Sequence, residues 1–172
     1  KWAQTLDGHL ADDNGKSQWI SGPRSRAYTH WLRQKYDAIM VGAQTVLSDS
    51  PRLTARDSPT PIVRHPHKII YDPSARLWEA SDEALSALLT ETENRDGPLV
   101  FWCVDAKEKK GLPSFLESFS HIIVRIPILD PEDWTELFLS ISAELQHRRG
   151  KPLQSVMVEG GSQLLTLLMR AD

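Results

Sequence analysis

Three separated stretches of this chain concentrate side chains that handle anions and protons. In Ala43-Gln44-Thr45-Val46-Leu47-Ser48-Asp49-Ser50-Pro51-Arg52-Leu53-Thr54-Ala55-Arg56, hydroxyl, carboxylate and guanidinium groups follow directly on the apolar run Ala38-Ile39-Met40-Val41-Gly42. In Val156-Met157-Val158-Glu159-Gly160-Gly161-Ser162-Gln163-Leu164-Leu165, an apolar run meets two glycines and then a helix-compatible segment starting at Ser162. Backbone N–H groups and the positive end of a helix dipole at such a junction suit a phosphate; the bland reading of the same pair of glycines is a tight turn. At the beginning, Lys1-Trp2-Ala3-Gln4-Thr5-Leu6-Asp7-Gly8 reads as a strand running into an Asp-Gly turn, followed by the polar Asp12 to Gln18. On a strand that turns Ala3 inward, the Lys1 ammonium would also point inward and would need an anionic or polar partner. Taken alone, Lys1 is a solvated terminal lysine.

Other residues gain meaning from spacing. Arg26 and Arg33 are seven apart and share one face of a helix; guanidinium groups clamp phosphates, although surface arginines are the commoner case. Ser17-Gln18-Trp19-Ile20-Ser21-Gly22-Pro23 sets an indole beside hydroxyls, or else is a capping turn next to a core tryptophan. The Gly160-Gly161 pair lacks the third glycine and the G-x-G of a dinucleotide fingerprint, so a Rossmann domain is not supported. With Cys103 as its one cysteine, the chain has no Pro-Cys-x-x-Cys for a deaminase zinc and no structural zinc set, and no metal is expected.

The elements that must position these residues are legible as alternating patterns. Apolar runs at Asp37 to Val41, Lys68 to Tyr71, Leu99 to Val104, His121 to Ile126 and Ser155 to Val158 predict buried strands. A helix is predicted from Glu132 to His147, where Trp134, Leu137, Phe138, Ile141 and Leu145 share a face, with Asp130 and Pro131 as cap and first turn. Further helices are expected near Pro23 to Lys35, near Asp82 to Leu89 and from Gly161 through Met169. Ser50 to His67, with four prolines, reads as a long loop of the kind that shapes a site. This alternation predicts an α/β domain with a mostly parallel central sheet and helices on both faces. The carboxyl ends of its strands are where ligands of open α/β sheets bind.

Composition narrows the partners. The 172 residues carry 20 basic and 23 acidic side chains, intermixed, for a net charge of -3. No basic face stands out for nucleic acid, and a small molecule is the expected ligand. At 40% hydrophobic content one domain can bury its own core. There is neither a bilayer-length apolar run nor the apolar core of a signal peptide, and a lone cysteine suits a reducing compartment, so a soluble cytoplasmic protein is expected. The chain opens on Lys1 and stops at Asp172 just after a helical pattern, which reads as one domain, 1–172, incomplete at both ends.

Taken in order, Lys1-x-Ala3 with Leu6-Asp7-Gly8, Ser17-Gln18-Trp19-Ile20, Leu32-Arg33, Asp37-Ala38-Ile39, Thr45-Val46-Leu47-x-Asp49-x-Pro51-x-Leu53-Thr54-x-Arg56 and Val158-Glu159-Gly160-Gly161 resemble the reductase domain of the bacterial bifunctional riboflavin-biosynthesis deaminase/reductase. The resemblance covers most of the chain. It implies a dihydrofolate-reductase-like fold with C-terminal strands missing from this sequence, and NADPH-dependent reduction of the ribosyl group of 5-amino-6-(5-phosphoribosylamino)uracil.

By the same resemblance Ser17, Arg33, Leu53, Arg56 and Glu159 hold the substrate, and Lys1 and Glu159 lie beside the reacting ribose as catalytic residues. NADPH contacts Ala3, Trp19, Thr45 and Asp49, with Gly161, Ser162, Gln163 and Leu164 opening a segment that wraps the pyrophosphate. A serine of the family after Asp72 is replaced by Pro73, which has no N–H to donate; Ser74 is its neighbour. Arg76 is a candidate for a 2′-phosphate. A homodimer is implied, as is a deaminase domain on the same or another chain. The rival readings are a dihydrofolate or pterin reductase of the same fold and a non-catalytic nucleotide-binding module.

Overall fold

The computed structural model describes residues 1–12, 20–92 and 96–170. Five short apolar segments pair into one all-parallel sheet: β1 (Ala38–Gly42), β2 (His67–Tyr71), β3 (Val100–Asp105), β4 (Ile123–Ile128) and β5 (Val156–Val158), in the order β4-β3-β2-β1-β5. Each starts within two residues of where its apolar run begins, because a strand covered on both faces shows as continuous hydrophobicity. Ala38, Ile39, Met40 and Val41 are all fully buried.

Alternate side chains build two cores. Ile39, Val41, Ile70, Val100, Trp102 and Val104 face one layer, made by α2 (Ala43–Asp49), the 3-10 turn Arg76–Glu79, α3 (Asp82–Leu88) and α4 (Ser114–Glu117). Ala38, Met40, Ile69, Tyr71, Phe101 and Cys103 face the other, made by α5 (Trp134–Arg149) and α6 (Ser162–Arg170). α1 (Pro23–Arg33) adds Leu32 to the first layer. Burying each such Ile, Leu or Phe stabilises the fold by about 1.5–3 kcal/mol relative to an exposed position.

The chain moves outward from β1 through β2 and β3 to β4 with its helices on one face. It then returns by α5 across the opposite face to place β5 on the other side of β1. The strand order therefore reverses between β1 and β5, which opens a crevice at their carboxyl ends.

Three expectations need correction. Lys1 to Gly8 forms no strand: the backbone nitrogen of Lys1 donates to the Val158 carbonyl at 2.5 Å, but Trp2 and Leu6 are exposed and no ladder continues. The Asp-Gly turn is present, closed by Gly8 N–H to the Thr5 carbonyl at 3.0 Å. The cap of α5 is Asp133, whose carboxylate accepts from the Glu136 amide at 2.8 Å; Asp130 instead accepts from the Glu132 amide at 2.9 Å, one turn too early. α2 was not anticipated, since seven residues hold too few turns to show a periodicity. Ser50 to Pro66 is an irregular loop, as expected.

Two ionisable side chains, one half-buried and one fully buried, hold the frame. Asp37 accepts from the Gln154 and Ser155 amides at 3.0 Å each and from Arg64 at 3.1 Å, fastening the entry of β5 to that of β1. Burial pushes its carboxyl up, but these donors outweigh it and the pKa ends below the ordinary value. Lys68, fully buried on β2, donates to the Leu88 and Thr90 carbonyls at 2.6 and 2.8 Å and so satisfies the end of α3.

Candidate active site

At the switch point two cavities adjoin. The smaller, about 340 Å³, is lined by Lys1 and Ala3 from the first segment, Arg26, His30 and Arg33 from α1, Leu53 and Arg56 from the long loop, and Glu159. The larger, about 590 Å³, lies between α2, the end of β2 and the start of α6; Gln44, Ser74, Arg76, Ser162, Gln163 and Leu164 line it. Leu10, Thr45, Asp49 and Gly161 line both. Every described residue of the expected set therefore lies on one cavity or the other. Ala3, expected with the cofactor, lies on the smaller one with Lys1, and Ser17 and Trp19 lie outside the described residues.

Arg33 and Glu159 pair on the wall of the smaller cavity. The guanidinium meets the carboxylate edge-on, with Nε to Oε1 and Nη2 to Oε2 both at 2.8 Å, and each side chain is 11% exposed. Its Nη1 donates to the Thr54 carbonyl at 2.9 Å. Burial pushes the Glu159 carboxyl up, but Arg33 outweighs it, with Lys1 and His30 adding to the same effect, and the group is held below the ordinary carboxylate range. Most of the N–H groups of Arg33 are thus engaged within the protein, which makes it a fixed support for Glu159.

Arg56 differs. Its side chain is 46% exposed, and its ion pair with Asp57 is long, at 4.0 Å. Burial, and after it Arg33, disfavours its charge. An incoming anion would relieve that, so Arg56 is the more available phosphate ligand.

The loop carrying Leu53 and Arg56 is shaped by residues in left-handed backbone: Ser50, Leu53 and Asp57 have φ of 43°, 52° and 47°. Such conformations are uncommon for non-glycine residues and persist where their surroundings hold them. Leu53 is buried, and the neighbouring Thr54 carbonyl is fixed by Arg33.

In the larger cavity, α6 begins with the bond from Leu165 N–H to the Gly161 carbonyl at 3.2 Å. The amides of Ser162, Gln163 and Leu164 precede that bond and have no helical partner. Gly160 allows α6 to come close: a Cβ there would lie 2.9 Å from Leu164 Cδ2 and 3.0 Å from its Cβ. A Cβ on Gly161 would meet nothing within 4 Å. Asp72, buried at the end of β2, accepts from the Arg76 and Leu77 amides at 2.7 and 2.9 Å and from Trp102 Nε1 at 2.9 Å. It thereby fixes the Pro73-Ser74 turn and Arg76 on the cavity wall. Arg76 donates to Gln44 Oε1 at 2.9 Å.

Sequence reasoning missed His30 and Asp72. The signal for His30 was available, since it lies one turn before Arg33 and so shares its helix face. The contribution of Thr54, a backbone carbonyl, had no signal in residue type.

The fold and this crevice define an α/β domain of the dihydrofolate-reductase-like class. The chain belongs to the RibD C-terminal domain family, which it matches from residue 1 to residue 172. It is 43% identical over 178 residues to riboflavin biosynthesis protein RibD of Aquifex aeolicus, covering 99% of this chain and 41% of that protein. It is 31% identical over 176 residues to 2,5-diamino-6-ribosylamino-4(3H)-pyrimidinone 5′-phosphate reductase of Saccharomyces cerevisiae, covering 99% of this chain and 65% of that one. The solved deaminase/5-amino-6-(5-phosphoribosylamino)uracil reductase of Thermotoga maritima superposes with a TM-score of 0.66 at 29% identity, over 98% of this chain and 40% of that one. Acinetobacter baumannii RibD superposes at 0.72 with 21% identity, over 98% of this chain and 41% of that one, a likeness of fold alone. The chain thus spans less than two thirds of each of these proteins. Among the described residues no helix is long and apolar enough to cross a membrane.

Proposed function

We propose that this domain reduces the ribosyl group of 5-amino-6-(5-phosphoribosylamino)uracil to a ribityl chain with NADPH. The observation that carries the reading is the pair of adjoining cavities with shared walls at Thr45, Asp49 and Gly161. One is rich in cations and suits a phosphorylated substrate. The other ends on a helix amino terminus and suits a pyrophosphate. The names of the relatives agree with it.

The larger cavity suits a dinucleotide: the first amides of α6 have no partner within the helix, and open space lies over Gly161 where a Cβ would stand. Arg76, the one cationic side chain lining that cavity among the described residues, is the candidate ligand for a 2′-phosphate and the basis for NADPH over NADH. A bound reduced nicotinamide supplies hydride. The chain's own groups do the rest. Arg56 and the Arg33-supported Glu159 hold the phosphate and the N–H or hydroxyl groups of the substrate. As the sugar carbon is reduced, the heteroatom losing its bond to that carbon takes up a proton, and Lys1, on the same cavity as Glu159, is placed to stabilise or supply it. Most of the rate would come from holding the two partners in line where the cavities meet.

The test is NADPH oxidation by the purified chain with the ribosylaminouracil phosphate, and with dihydrofolate in parallel. Turnover of the first alone is the expected result. Turnover of dihydrofolate instead would move the chain to the pterin branch, and silence with both while the nucleotide still binds would make it a binding module. The same proposal extends to assembly as a homodimer, which sedimentation would check.

A further inference from the structure

His30 is absent from the residues assigned above, yet it is buried on α1 and lines the smaller cavity between Arg33 and Arg56. Its Nδ1 lies 3.2 Å from the Thr54 carbonyl oxygen and 3.3 Å from Arg33 Nη1, while Nη1 itself is 2.9 Å from that same oxygen. The three atoms form a nearly equilateral triangle, so the oxygen and Nδ1 are about 60° apart seen from Nη1, whereas the two hydrogens of a planar amino group diverge by about 120°. Nη1 can serve both only through two bent hydrogen bonds, and a straight bond to the carbonyl aims neither hydrogen at Nδ1. Its shorter contact goes to the carbonyl, and the second lone pair of that oxygen accepts from Nδ1–H. The proton on Nδ1 leaves Nε2 as a bare lone pair, and among the described residues no hydrogen bond reaches it.

We propose that His30 is a substrate-binding residue whose Nε2 accepts a hydrogen bond from a hydroxyl or ring N–H of the bound ligand. The smaller cavity presents donors from Lys1, Arg33 and Arg56, which suit the ligand's phosphate and carbonyl oxygens. Glu159 and Asp49 are the carboxylate acceptors there, and both oxygens of Glu159 already face Arg33. A ribosylaminouracil carries several hydroxyl and N–H donors, and His30 supplies them with an uncharged acceptor. The ring stays neutral at working pH. Burial, then Arg33 and Arg56, push its pKa down to about 4, against the opposing Thr54 carbonyl and Glu159. The tautomer rests on the straighter set of bonds around Thr54, which the proton–nitrogen spectra test directly, whereas the identity of the donor rests on the reductase reading.

Two isosteres separate the ring's two nitrogens. His30→Asn places an amide nitrogen near Nδ1 and keeps the bond to Thr54 while deleting the Nε2 acceptor; His30→Gln carries an amide oxygen to the Nε2 position. The expected result for His30→Asn is a KM for the ribosylaminouracil phosphate raised roughly tenfold, the loss of one hydrogen bond, with NADPH affinity and thermal midpoint unchanged. His30→Gln should recover most of that loss. In the wild-type chain, long-range proton–nitrogen spectra should show His30 protonated on Nδ1 only, without titrating between about pH 5 and 8. Protonation on Nε2, or a KM for His30→Asn equal to that of wild type, overturns the proposal. A wild-type chain with the expected tautomer but no turnover of this substrate overturns the reductase reading instead, and with it the identity of the donor.

Discussion

At the scale of single residues, Arg33 and Arg56, the two arginines expected to hold the substrate, do different work. Arg33 is buried against Glu159, so Arg33→Ala strands a carboxylate that the fold keeps away from water. Removing one partner of such a pair costs about 3 kcal/mol, to be read as a lower urea midpoint. The Glu159 pKa, held below its ordinary value by Arg33, should rise, moving the acid limb of kcat/KM to higher pH. Arg33→Lys should not rescue either effect, because an ammonium cannot make the two parallel bonds. Arg56→Ala should leave the urea midpoint alone and weaken the phosphorylated substrate by about 1.5–3 kcal/mol, a lost charge-assisted bond. Equal effects from both substitutions would show that the division is wrong. The residue types of this site were legible in the sequence, but not who pairs with whom. Arg33 and Glu159 are 126 residues apart, and they meet only because β5 returns to the side of β1.

At the scale of elements, the five strands were legible because burial on both faces turns each into an apolar run. α5 was legible because sixteen residues display a stripe. Short pieces were not: α2 and α4 span seven and four residues, and the first eight residues carry strand-like types without any strand to pair with. The turn from β5 into α6 was read correctly, yet only its packing separates the two glycines. At Gly160 an added methyl would press on the Cβ of Leu164 at 3.0 Å, so α6 must move away from the sheet. Gly160→Ala should therefore lower stability by about 1–3 kcal/mol and weaken NADPH through the displaced amides. At Gly161 an added methyl enters open space, so Gly161→Ala should leave the thermal midpoint unchanged. If the pyrophosphate rests against this backbone, its NADPH affinity should still drop by on the order of tenfold. Normal nucleotide binding by Gly161→Ala would remove the α6 turn from the cofactor site.

For the whole molecule, net charge is only -3, so general self-repulsion is weak and acid sensitivity comes from particular groups set wholly or partly inside the fold. Two are histidines. His67, at the start of β2, accepts the Leu99 amide on Nδ1 at 2.9 Å, a bond that protonation would destroy. Burial and then Arg149 push its pKa down to about 4, and His30 is pushed to about 4 as well. Both bases ionise less readily folded than unfolded. Between about pH 6.5 and 4 the unfolded chain therefore binds protons that the folded chain refuses, and stability falls as pH falls through that window. The carboxylates act lower. Asp37 and Glu159, depressed in the fold, keep their full contribution above the ordinary carboxylate pKa and lose it only as pH drops through their folded values. Acid unfolding should thus begin in the histidine range. Calorimetry of the wild type from pH 7 to 4.5 should show a steadily falling thermal midpoint. His67→Asn, whose side-chain oxygen can accept the Leu99 amide without titrating, should flatten that slope by roughly half, one of two histidines having been removed. A wild-type midpoint that holds constant down to pH 4.5 would mean that neither imidazole resists its proton in the folded state.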